Sequence, residues 1–571
     1  MNMLERAFPL FTVLRTYRRA DLASDLVAGL TVAVLLVPQS MGYALLAGLP
    51  PAVGLRACTV PLIVYALMGT SRQLAVGPVA MISLLIHTQT APLAGGDPNR
   101  YAALAVQMAV LVGVLQAAMG ALRLGVLVNF LSHAVTSGFA SAAAIIIILS
   151  QLKHLLGIKM DSEGSAISQF LQAAGAIGGA QSVAVLMGLG TTVVLMACKR
   201  TMPRVPGPMI VVVIGTGVAQ LLRLDHQGLA VVGDVPRGLP GLGFPAIEPD
   251  MFVKLLPAAI TISLIGFVES IAIANIIAAR ERYRVSADRE LIALGAANVA
   301  AAVVGAYPVT GGLSRTAVNH QAGARTGVAS IVTALLILAT LLFLTPLFYY
   351  TPKAVLAGLV VVSVASLVDI QEFRRLWKLR PSDAASLGVT FVVTLAINVE
   401  IGIITGVLYS LATFVWRSSH PRIVEVGLVE HDGAFRDITR FPDARTYDGV
   451  LIMRVDAALY FANMRFVEER LQAMLADRQV EWVVFDLSSV NDMDGVAAHT
   501  LHEWSTLYEQ HGIRFAFAGM KGPVRDLLLR AGWPEERARQ VSLQKLLEEI
   551  GAAGGQAQVS EPPVSQSEPA E

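Results

Sequence analysis

The sequence predicts a polytopic α-helical membrane protein that ends in a soluble α/β domain. Of its 571 residues, 54% are hydrophobic and 15% are charged, whereas about a quarter of an ordinary soluble domain is charged. From 25 to 418, apolar stretches close to the ~20 residues that a transmembrane helix needs follow one another with short interruptions. Beyond Pro421, charged residues recur every few positions, which indicates a soluble domain over 421–550.

The two ends of the chain differ from these domains. Residues 1–24 lack an apolar core after an initial positive cluster, so we expect a cytoplasmic N-terminal segment and not a cleaved signal peptide. Residues 551–571 are small, polar and rich in proline and cannot bury a core, which predicts a disordered tail.

Composition and motifs exclude several classes of function. The net charge is +1 and no basic stripe stands out, which argues against binding of nucleic acid. Cys58 and Cys198 both fall in apolar stretches and form no metal-binding pattern. Phosphate-loop and nucleophile-elbow motifs are also absent from the sequence. We therefore expect no enzyme activity, no metal and no cofactor.

The transmembrane domain, 25–418, divides into fourteen apolar segments, seven in each half. The first seven lie near 25–48, 53–70, 74–91, 100–120, 126–152, 180–199 and 205–222. The second seven lie near 254–280, 288–306, 308–322, 326–350, 352–369, 383–399 and 401–418.

The distribution of positive charge predicts the orientation. If the N-terminus is inside, the inner loops carry twice as many Lys and Arg residues as the outer loops, as expected of cytoplasmic loops. An even number of segments returns the chain to the cytoplasm. We therefore expect a multi-pass protein of the cell inner (plasma) membrane with both termini cytoplasmic.

The third and tenth segments are interrupted. The third carries Gly77-Pro78 near its middle, and the tenth carries Pro308, Gly311 and Gly312 before "LSRTAVNH". Each interruption leaves about three turns of helix, which cover about half of a ~30 Å hydrocarbon core. Paired interruptions in two repeats are typical of secondary transporters with a site at the midplane. Because each repeat has an odd number of segments, the second repeat is expected to run through the membrane in the inverted orientation. The alternative to two interrupted segments is that the Gly and Pro residues only kink two continuous helices.

Half-helices that begin inside a membrane create an anion site. Each start exposes up to four unpaired N–H groups and about half a positive charge, and two such starts that meet favour an anion. Ser314 is placed to cap the half-helix or donate its hydroxyl, and Arg315 adds a full charge and a fork suited to an oxyanion. Alternatively, Arg315 reaches a membrane interface or pairs with a structural acid.

Glu269 lies within the eighth segment. Burial of a carboxylate at this depth is costly, so Glu269 is expected to be protonated, paired or facing water. A protonated carboxyl in such a place is suited to carry a proton. The alternative is a permanent ion pair with Arg315 that holds the eighth and tenth segments together.

Several separated stretches resemble the sulfate permease (SulP) family of anion transporters. They are "PQSMGYALLAGLPPAVGL", "GTSRQLAVGPVAMISL", "GFASAAAIIIILSQLKHLLG" and "SRTAVNHQAGART", in the order of the family. The resemblance implies seven-plus-seven inverted repeats, a core domain that moves against a gate domain, and a homodimer. It implicates as anion-binding residues Gln39, Tyr43, Val79, Ala80, Ser314 and Arg315. In proton-coupled members, a glutamate at the position of Glu269 is associated with symport.

The soluble domain shows three successive strand-plus-helix patterns, which predict a small α/β fold. The stretch "DLSSVNDMDGVAAHTL" resembles a STAS domain. In soluble relatives a phosphorylatable serine follows the aspartate, whereas Asp494 is followed by Gly495 and Val496, so a phospho-switch is not expected. Stabilising a dimer, assisting trafficking, and sensing a ligand or a cytosolic partner all remain open roles for this domain.

The function predicted from these features is secondary active transport of a small anion by alternating access. Sulfate, bicarbonate and dicarboxylates all suit the site, and a proton is favoured over sodium as the coupled ion. One alternative is an uncoupled exchanger or channel with a structural Glu269. A membrane-anchored STAS signalling protein is a remote alternative, because fourteen segments exceed what anchoring needs.

Overall fold

A computed structural model describes most of the chain. The described residues are 8–15, 17–126, 132–160, 166–201, 206–238, 241, 243, 248–397, 399–431, 433–476 and 478–551. The predicted tail, 551–571, lies outside them except for Gly551. The chain divides into two compact units, Met1–Ser410 and Leu411–Glu571.

The first half of the larger unit contains ten α-helices and one short strand among the described residues. They are α1 (Pro9–Leu14), α2 (Arg19–Leu46), α3 (Pro51–Arg56), α4 (Val60–Met68), β1 (Val76–Gly77), α5 (Ala80–Ala94), α6 (Pro98–Ala121), α7 (His133–Leu156), α8 (Ala166–Ala176), α9 (Ser182–Thr201) and α10 (Gly207–Leu221).

The second half continues with eight α-helices and one short strand over the same described part of the chain. They are α11 (Pro249–Arg280), α12 (Ala287–Val303), β2 (Thr310–Gly311), α13 (Leu313–Gln321), α14 (Val328–Ala339), α15 (Lys353–Ala365), α16 (Ile370–Leu379), α17 (Pro381–Ala396) and α18 (Val399–Ser419). Eight helical stretches in the described ranges are long and apolar enough to cross a membrane, and three further apolar helices are shorter. Each predicted segment overlaps one or two of these elements; the number of crossings stays a prediction.

The two halves pack against each other in matching pairs. Helix α6 of the first half packs on α11 and α12, and its counterpart α14 of the second half packs on α2 and α4. Likewise α7 packs on α17, and its counterpart α15 packs on α9. Each of these helices packs on the opposite half, and its counterpart does the same in return. This is the packing expected of two interleaved inverted repeats.

The interrupted segments meet through their short strands. β1 pairs with β2 in antiparallel register, with Val76 opposite Gly311 and Gly77 opposite Thr310. Pro78 follows β1 directly, and because proline has no N–H group it cannot continue the ladder. Helix α5 then runs for 15 residues, about four turns and longer than predicted, while α13 runs for nine.

Loops predicted to share the cytoplasmic side lie together. They line one polar cleft of about 670 Å³ with residues from four separate parts of the chain. The ionisable residues in this lining are Tyr17, Asp21, Arg72, Glu281, His320 and Arg325. The arrangement agrees with the predicted alternation of loops, and the side on which the cleft lies stays a prediction.

The smaller unit is a five-stranded sheet between helical layers. Its strands are β3 (Ile423–Val429), β4 (Ala434–Asp437), β5 (Val450–Val455), β6 (Trp482–Asp486) and β7 (Arg514–Ala518), in the order β4-β3-β5-β6-β7. The pairs β5–β6 and β6–β7 are parallel, whereas β3 is antiparallel to both β4 and β5. Its helices are α19 (Phe461–Leu475), α20 (Gly495–Gln510), α21 (Gly522–Arg530) and α22 (Leu543–Glu549).

Two apolar layers hold this domain together, one on each face of the sheet. Side chains of α19, α20 and α21 bury one face, and side chains of α22 bury the other. Asp494 caps α20 by accepting a hydrogen bond from the Ala497 amide, 2.8 Å away. It also accepts one from the Phe461 amide, at 2.9 Å. The carboxylate therefore stabilises the start of α20 and ties it to the start of α19.

Candidate functional site

The starts of α5 and α13 meet at a cavity of about 190 Å³. The fourteen residues of its lining include all seven residues singled out in the sequence, which are Gln39, Tyr43, Val79, Ala80, Glu269, Ser314 and Arg315. These residues come from α2, α5, α11 and α13. The fold therefore brings the predicted binding residues and the predicted proton carrier into one place.

Both helix starts lack a side-chain cap. The N-cap residues are Val79 for α5 and Gly312 for α13, and neither helix receives a hydrogen bond from a capping side chain. The first hydrogen bonds inside these helices run from the Ser83 amide to the Val79 carbonyl and from the Thr316 amide to the Gly312 carbonyl. The amides of the first three residues of each helix therefore have no partner inside the helix and are available to a ligand at the positive end of the helix dipole.

Arg315 is buried at this junction, with 1% of its surface exposed. Its Nε donates to the Ala75 carbonyl at 2.7 Å and its Nη1 donates to the Pro78 carbonyl at 2.5 Å. Its Nη2 donates to the Gly77 carbonyl at 2.7 Å and to the Thr310 carbonyl at 2.6 Å. A guanidinium has five N–H groups, so four are used by the main chain. Arg315 places its charge beside the cavity, but it mainly joins the two interrupted segments.

The structure leaves polar atoms at the cavity wall without partners. The Gln39 Nε2 donates to the Tyr43 hydroxyl at 3.0 Å, while the Gln39 Oε1 and the Glu269 Oε2 are buried with no hydrogen bond. Buried polar atoms normally have partners. One of these two atoms belongs to the residue that the sequence predicts to carry a proton. No ion pair within 4 Å joins Glu269 to Arg315 among the described residues, in contrast to the permanent pair considered as an alternative.

Ser314 does not cap its half-helix, because Gly312 holds the N-cap position. Its side chain is exposed at the cavity, so the hydroxyl is available to a ligand. The sequence interpretation missed two further hydroxyls in the lining, those of Ser363 and Ser366 at the end of α15. A serine near the end of an apolar helix gives too weak a signal to be singled out.

Supporting contacts behind the site were also missed. Asn298 of α12 donates to the Val309 carbonyl at 3.1 Å and to the Gln116 side chain at 2.9 Å. It accepts from the Val309 amide at 2.7 Å. Ser270 of α11 accepts from the Gly311 amide at 2.8 Å. These bonds fix β2, the strand that precedes α13. The sequence signal that could have revealed them is the presence of polar residues inside apolar helices.

The loop before β1 is held by a buried acid. Glu290 is wholly buried and accepts four hydrogen bonds. Their donors are the Tyr65 hydroxyl at 2.7 Å, the Thr70 amide at 2.6 Å, the Thr70 hydroxyl at 2.6 Å and the Ser71 amide at 3.0 Å. Hydrogen bonds to a charged group are stronger than neutral ones. Glu290 therefore fixes the approach of the chain to the first interrupted segment.

A second cavity of about 330 Å³ adjoins the first. The two share Met81, Glu269, Leu313, Ser366 and Leu367. The second is mostly apolar and extends along α7 and α11 to His133 and Asp369. It therefore connects the predicted binding residues with a membrane boundary that the sequence places on the cytoplasmic side.

Together, the interleaved repeats and the cavity between two half-helices define the fold of a membrane transporter. A model described as "Sulfate permease family" matches residues 22–390, and one described as "STAS domain" matches residues 441–540. The chain belongs to the sulfate permease family. The family and the STAS domain predicted from the sequence motifs are thus confirmed.

Curated relatives match nearly the whole chain. "Sulfate transporter 4.1, chloroplastic" of Arabidopsis thaliana is 37% identical over 94% of this chain and 81% of its own length. "Probable sulfate transporter Rv1739c" of Mycobacterium tuberculosis is 35% identical over 90% of this chain and 92% of its own length.

Solved structures confirm the predicted fold class. Murine Solute Carrier 26 family member A9 in the inward-facing state superposes with a TM-score of 0.88 at 23% identity, over 96% of this chain and 94% of that chain. The transmembrane domain of the cyanobacterial bicarbonate transporter BicA gives a TM-score of 0.60 at 24% identity, over 69% of this chain and 98% of that chain.

Proposed function

We propose that this protein is a secondary active transporter that moves sulfate together with a proton by alternating access. The observation that supports this most directly is the meeting of two uncapped half-helix starts at one cavity beside Glu269. Such starts favour an anion and provide directional N–H donors. Sulfate is the substrate proposed because the relatives quoted above are named sulfate transporters.

The proton assignment rests on Glu269. Its carboxylate lines the same cavity as the helix starts and has one buried oxygen without a hydrogen bond. An ionised Glu269 would repel an anion in this confined space, where charges interact more strongly than in water. A protonated Glu269 would remove the repulsion and also donate a hydrogen bond. Binding of anion and proton would then support each other, which is the condition for symport.

The proposed carrier works in the inner membrane as a homodimer, with both termini in the cytoplasm. Family membership supports the dimer, and the excess of Lys and Arg in the predicted inner loops supports the orientation. A cytosolic partner of the STAS domain is part of the same proposal. The dimer can be checked by the mass of the purified protein in nanodiscs.

Uptake into proteoliposomes tests the coupling. Labelled sulfate is measured with and without an inward proton gradient for the wild type and for Glu269→Gln, which mimics a permanently protonated side chain. The wild type should accumulate sulfate when the gradient is applied, whereas the variant should only equilibrate it. Labelled bicarbonate, fumarate and succinate are measured in parallel, and preferred accumulation of one of them would replace sulfate in the proposal.

Glu281→Gln is the matched control, because Glu281 directly follows α11 and lies outside the cavity that holds Glu269. It should accumulate sulfate like the wild type. Gradient-driven accumulation that is unchanged in Glu269→Gln would refute the role of this residue. If sulfate flux through the wild type does not depend on the proton gradient, the protein is instead an uncoupled exchanger or channel.

A further inference from the structure

Helix α16 (Ile370–Leu379) is a ten-residue helix without a buried residue. Only Arg380 separates it from α17, and four residues separate it from α15. Both neighbours are apolar helices of the membrane domain. At 1.5 Å per residue, α16 is about 15 Å long and too short to cross a bilayer. Its short connections therefore keep it at the boundary of the membrane.

One side of α16 is apolar and aromatic. Ile370, Phe373 and Trp377 recur at helical spacing and are 60%, 36% and 59% exposed. The rings of Phe373 and Trp377 lie next to each other, with their centroids 6.0 Å apart. Exposed aromatic residues at a membrane boundary are typical of anchors at the level of the lipid headgroups.

The adjoining side of α16 is positively charged. Arg374, Arg375 and Lys378 are exposed there, and Arg380 follows the helix. The acid in the helix, Glu372, is turned toward the protein: its side chain is 11% exposed and lies 3.8 Å from the His133 ring and 3.3 Å from Arg375. The charge that α16 presents outward is therefore mainly positive.

We propose that residues 370–380 lie in the headgroup layer of the membrane and bind anionic phospholipid. The exposed aromatic side would enter the upper part of the acyl chains, and the adjacent Arg and Lys side chains would contact lipid phosphates. A helix with a basic side and an aromatic side binds a membrane surface in this way. The lipid is chosen over a protein partner because both neighbouring helices hold α16 at the bilayer and its cations match acidic headgroups.

This contact is connected to the candidate site. The Asp369 amide, at the start of α16, donates to the Ser141 hydroxyl of α7 at 3.2 Å, and this hydroxyl donates to the Leu367 carbonyl at 3.2 Å. Leu367, Asp369 and His133 line the apolar cavity that adjoins the site. Lipid bound to α16 would therefore favour one position of the cavity wall, so transport should depend on acidic lipid. This second step rests on the proposed transport function, whereas lipid binding does not.

Fluorescence quenching tests binding without any transport. The full chain is reconstituted with brominated phosphatidylglycerol or brominated phosphatidylcholine at equal mole fraction. The contribution of Trp377 is obtained as the difference between the wild type and Trp377→Phe. We expect brominated phosphatidylglycerol to quench Trp377 more strongly. The triple variant Arg374→Gln, Arg375→Gln, Lys378→Gln should need at least about tenfold more of this lipid for the same quenching, given about fivefold per cation.

The matched control removes three exposed arginines at the end of α11 and just after it, as Arg280→Gln, Arg282→Gln, Arg284→Gln. It should leave the quenching of Trp377 unchanged. Equal quenching by both lipids, or none by either, would overturn the proposal, and the second result would indicate that another protein surface covers α16. If quenching is as expected but sulfate uptake is the same with and without phosphatidylglycerol, only the link to transport fails. Absence of any sulfate uptake would instead refute the proposed function.

Discussion

Arg315 shows how one side chain can serve a binding site without being directed at the ligand. Its position in the first turn of α13 led to the expectation of a fork for an oxyanion, but four of its N–H groups bind carbonyls of Ala75, Gly77, Pro78 and Thr310. These carbonyls lie where regular helix is interrupted, so they lack helical partners. Arg315 satisfies them and leaves its positive charge next to the helix starts.

Replacement of Arg315 should therefore affect stability and binding together. Arg315→Ala removes four hydrogen bonds to buried carbonyls. We expect a loss of about 3 kcal/mol or more in stability along with the loss of sulfate affinity. Arg315→Lys keeps the charge but offers no planar fork that reaches carbonyls on both segments. Sulfate should not raise the unfolding temperature of either purified variant. It should raise that of the control variant, Arg284→Lys, as it does for the wild type. Normal sulfate affinity in Arg315→Lys would show that charge alone is required.

At the scale of elements, the site depends on a close contact between two interrupted segments. Gly312 is the N-cap of α13, and a Cβ atom added there would lie 2.8 Å from both Cζ and Nε of Arg315. The backbone of Gly312 has φ −103°, which other residues also adopt. Glycine is thus required here for space and not for backbone conformation.

Gly312→Ala should displace the Arg315 guanidinium and separate the helix starts. We expect at least tenfold weaker sulfate binding, measured by competition with labelled sulfate in proteoliposomes. Gly388→Ala is the matched control, since its nearest neighbour would be Phe373 Cε2 at 3.9 Å. Unchanged affinity in Gly312→Ala would show that the junction tolerates rearrangement.

The interruptions could be predicted because their cause is local, while the contacts that join them could not. Gly77-Pro78 and Pro308 break a helix wherever they occur. The carbonyl partners of Arg315 on the first interrupted segment, by contrast, lie at least 237 residues away in the chain. The same holds for Glu290, whose partners are about 220 residues distant. One sequence without an alignment shows that these polar residues are buried in apolar helices but not what they bind.

At the scale of the whole molecule, the C-terminal domain has its own acid-sensitive point. Burial opposes ionisation of Asp437, but hydrogen bonds from the Thr439 hydroxyl and amide and from Arg422 outweigh it and lower the pKa of Asp437. These bonds measure 2.6, 2.9 and 2.5 Å. A lowered carboxyl pKa gives stability that is present above the ordinary aspartate pKa of about 4 and is lost as the pH falls through the folded-state value.

Asp437→Asn should therefore loosen the β3–β4 edge at neutral pH by about 1 to 3 kcal/mol. Hydrogen exchange over 423–440 in the full chain would measure this as reduced protection. The difference from the wild type should shrink as the pH falls below about 4. Asp443→Asn, at an exposed position in the following loop, is the control and should match the wild type throughout. A difference between Asp437→Asn and the wild type that persists undiminished in acid would contradict this explanation.

The predicted orientation can be tested at the two ends of one helix. Helix α11 has 32 residues and is about 48 Å long. Glu248, at its start, lies 3.6 Å from Arg100, and Glu281, at its end, lies 2.8 Å from His320. Loops near Arg100 and near Glu281 must therefore lie on opposite sides of a bilayer that α11 crosses.

Single cysteines should reveal which side is which. In a Cys58→Ala, Cys198→Ala background that still takes up sulfate, Asn99→Cys should react with a membrane-impermeant maleimide in intact cells. Arg284→Cys should react only after permeabilisation, because the positive residues around it hold this loop in the cytoplasm. Ala118→Cys, on an exposed apolar surface of α6, should react poorly in both conditions. The reverse pattern would contradict the predicted orientation. It would place the STAS domain outside the cell and would move the proposed lipid contact of residues 370–380 to the outer face of the membrane.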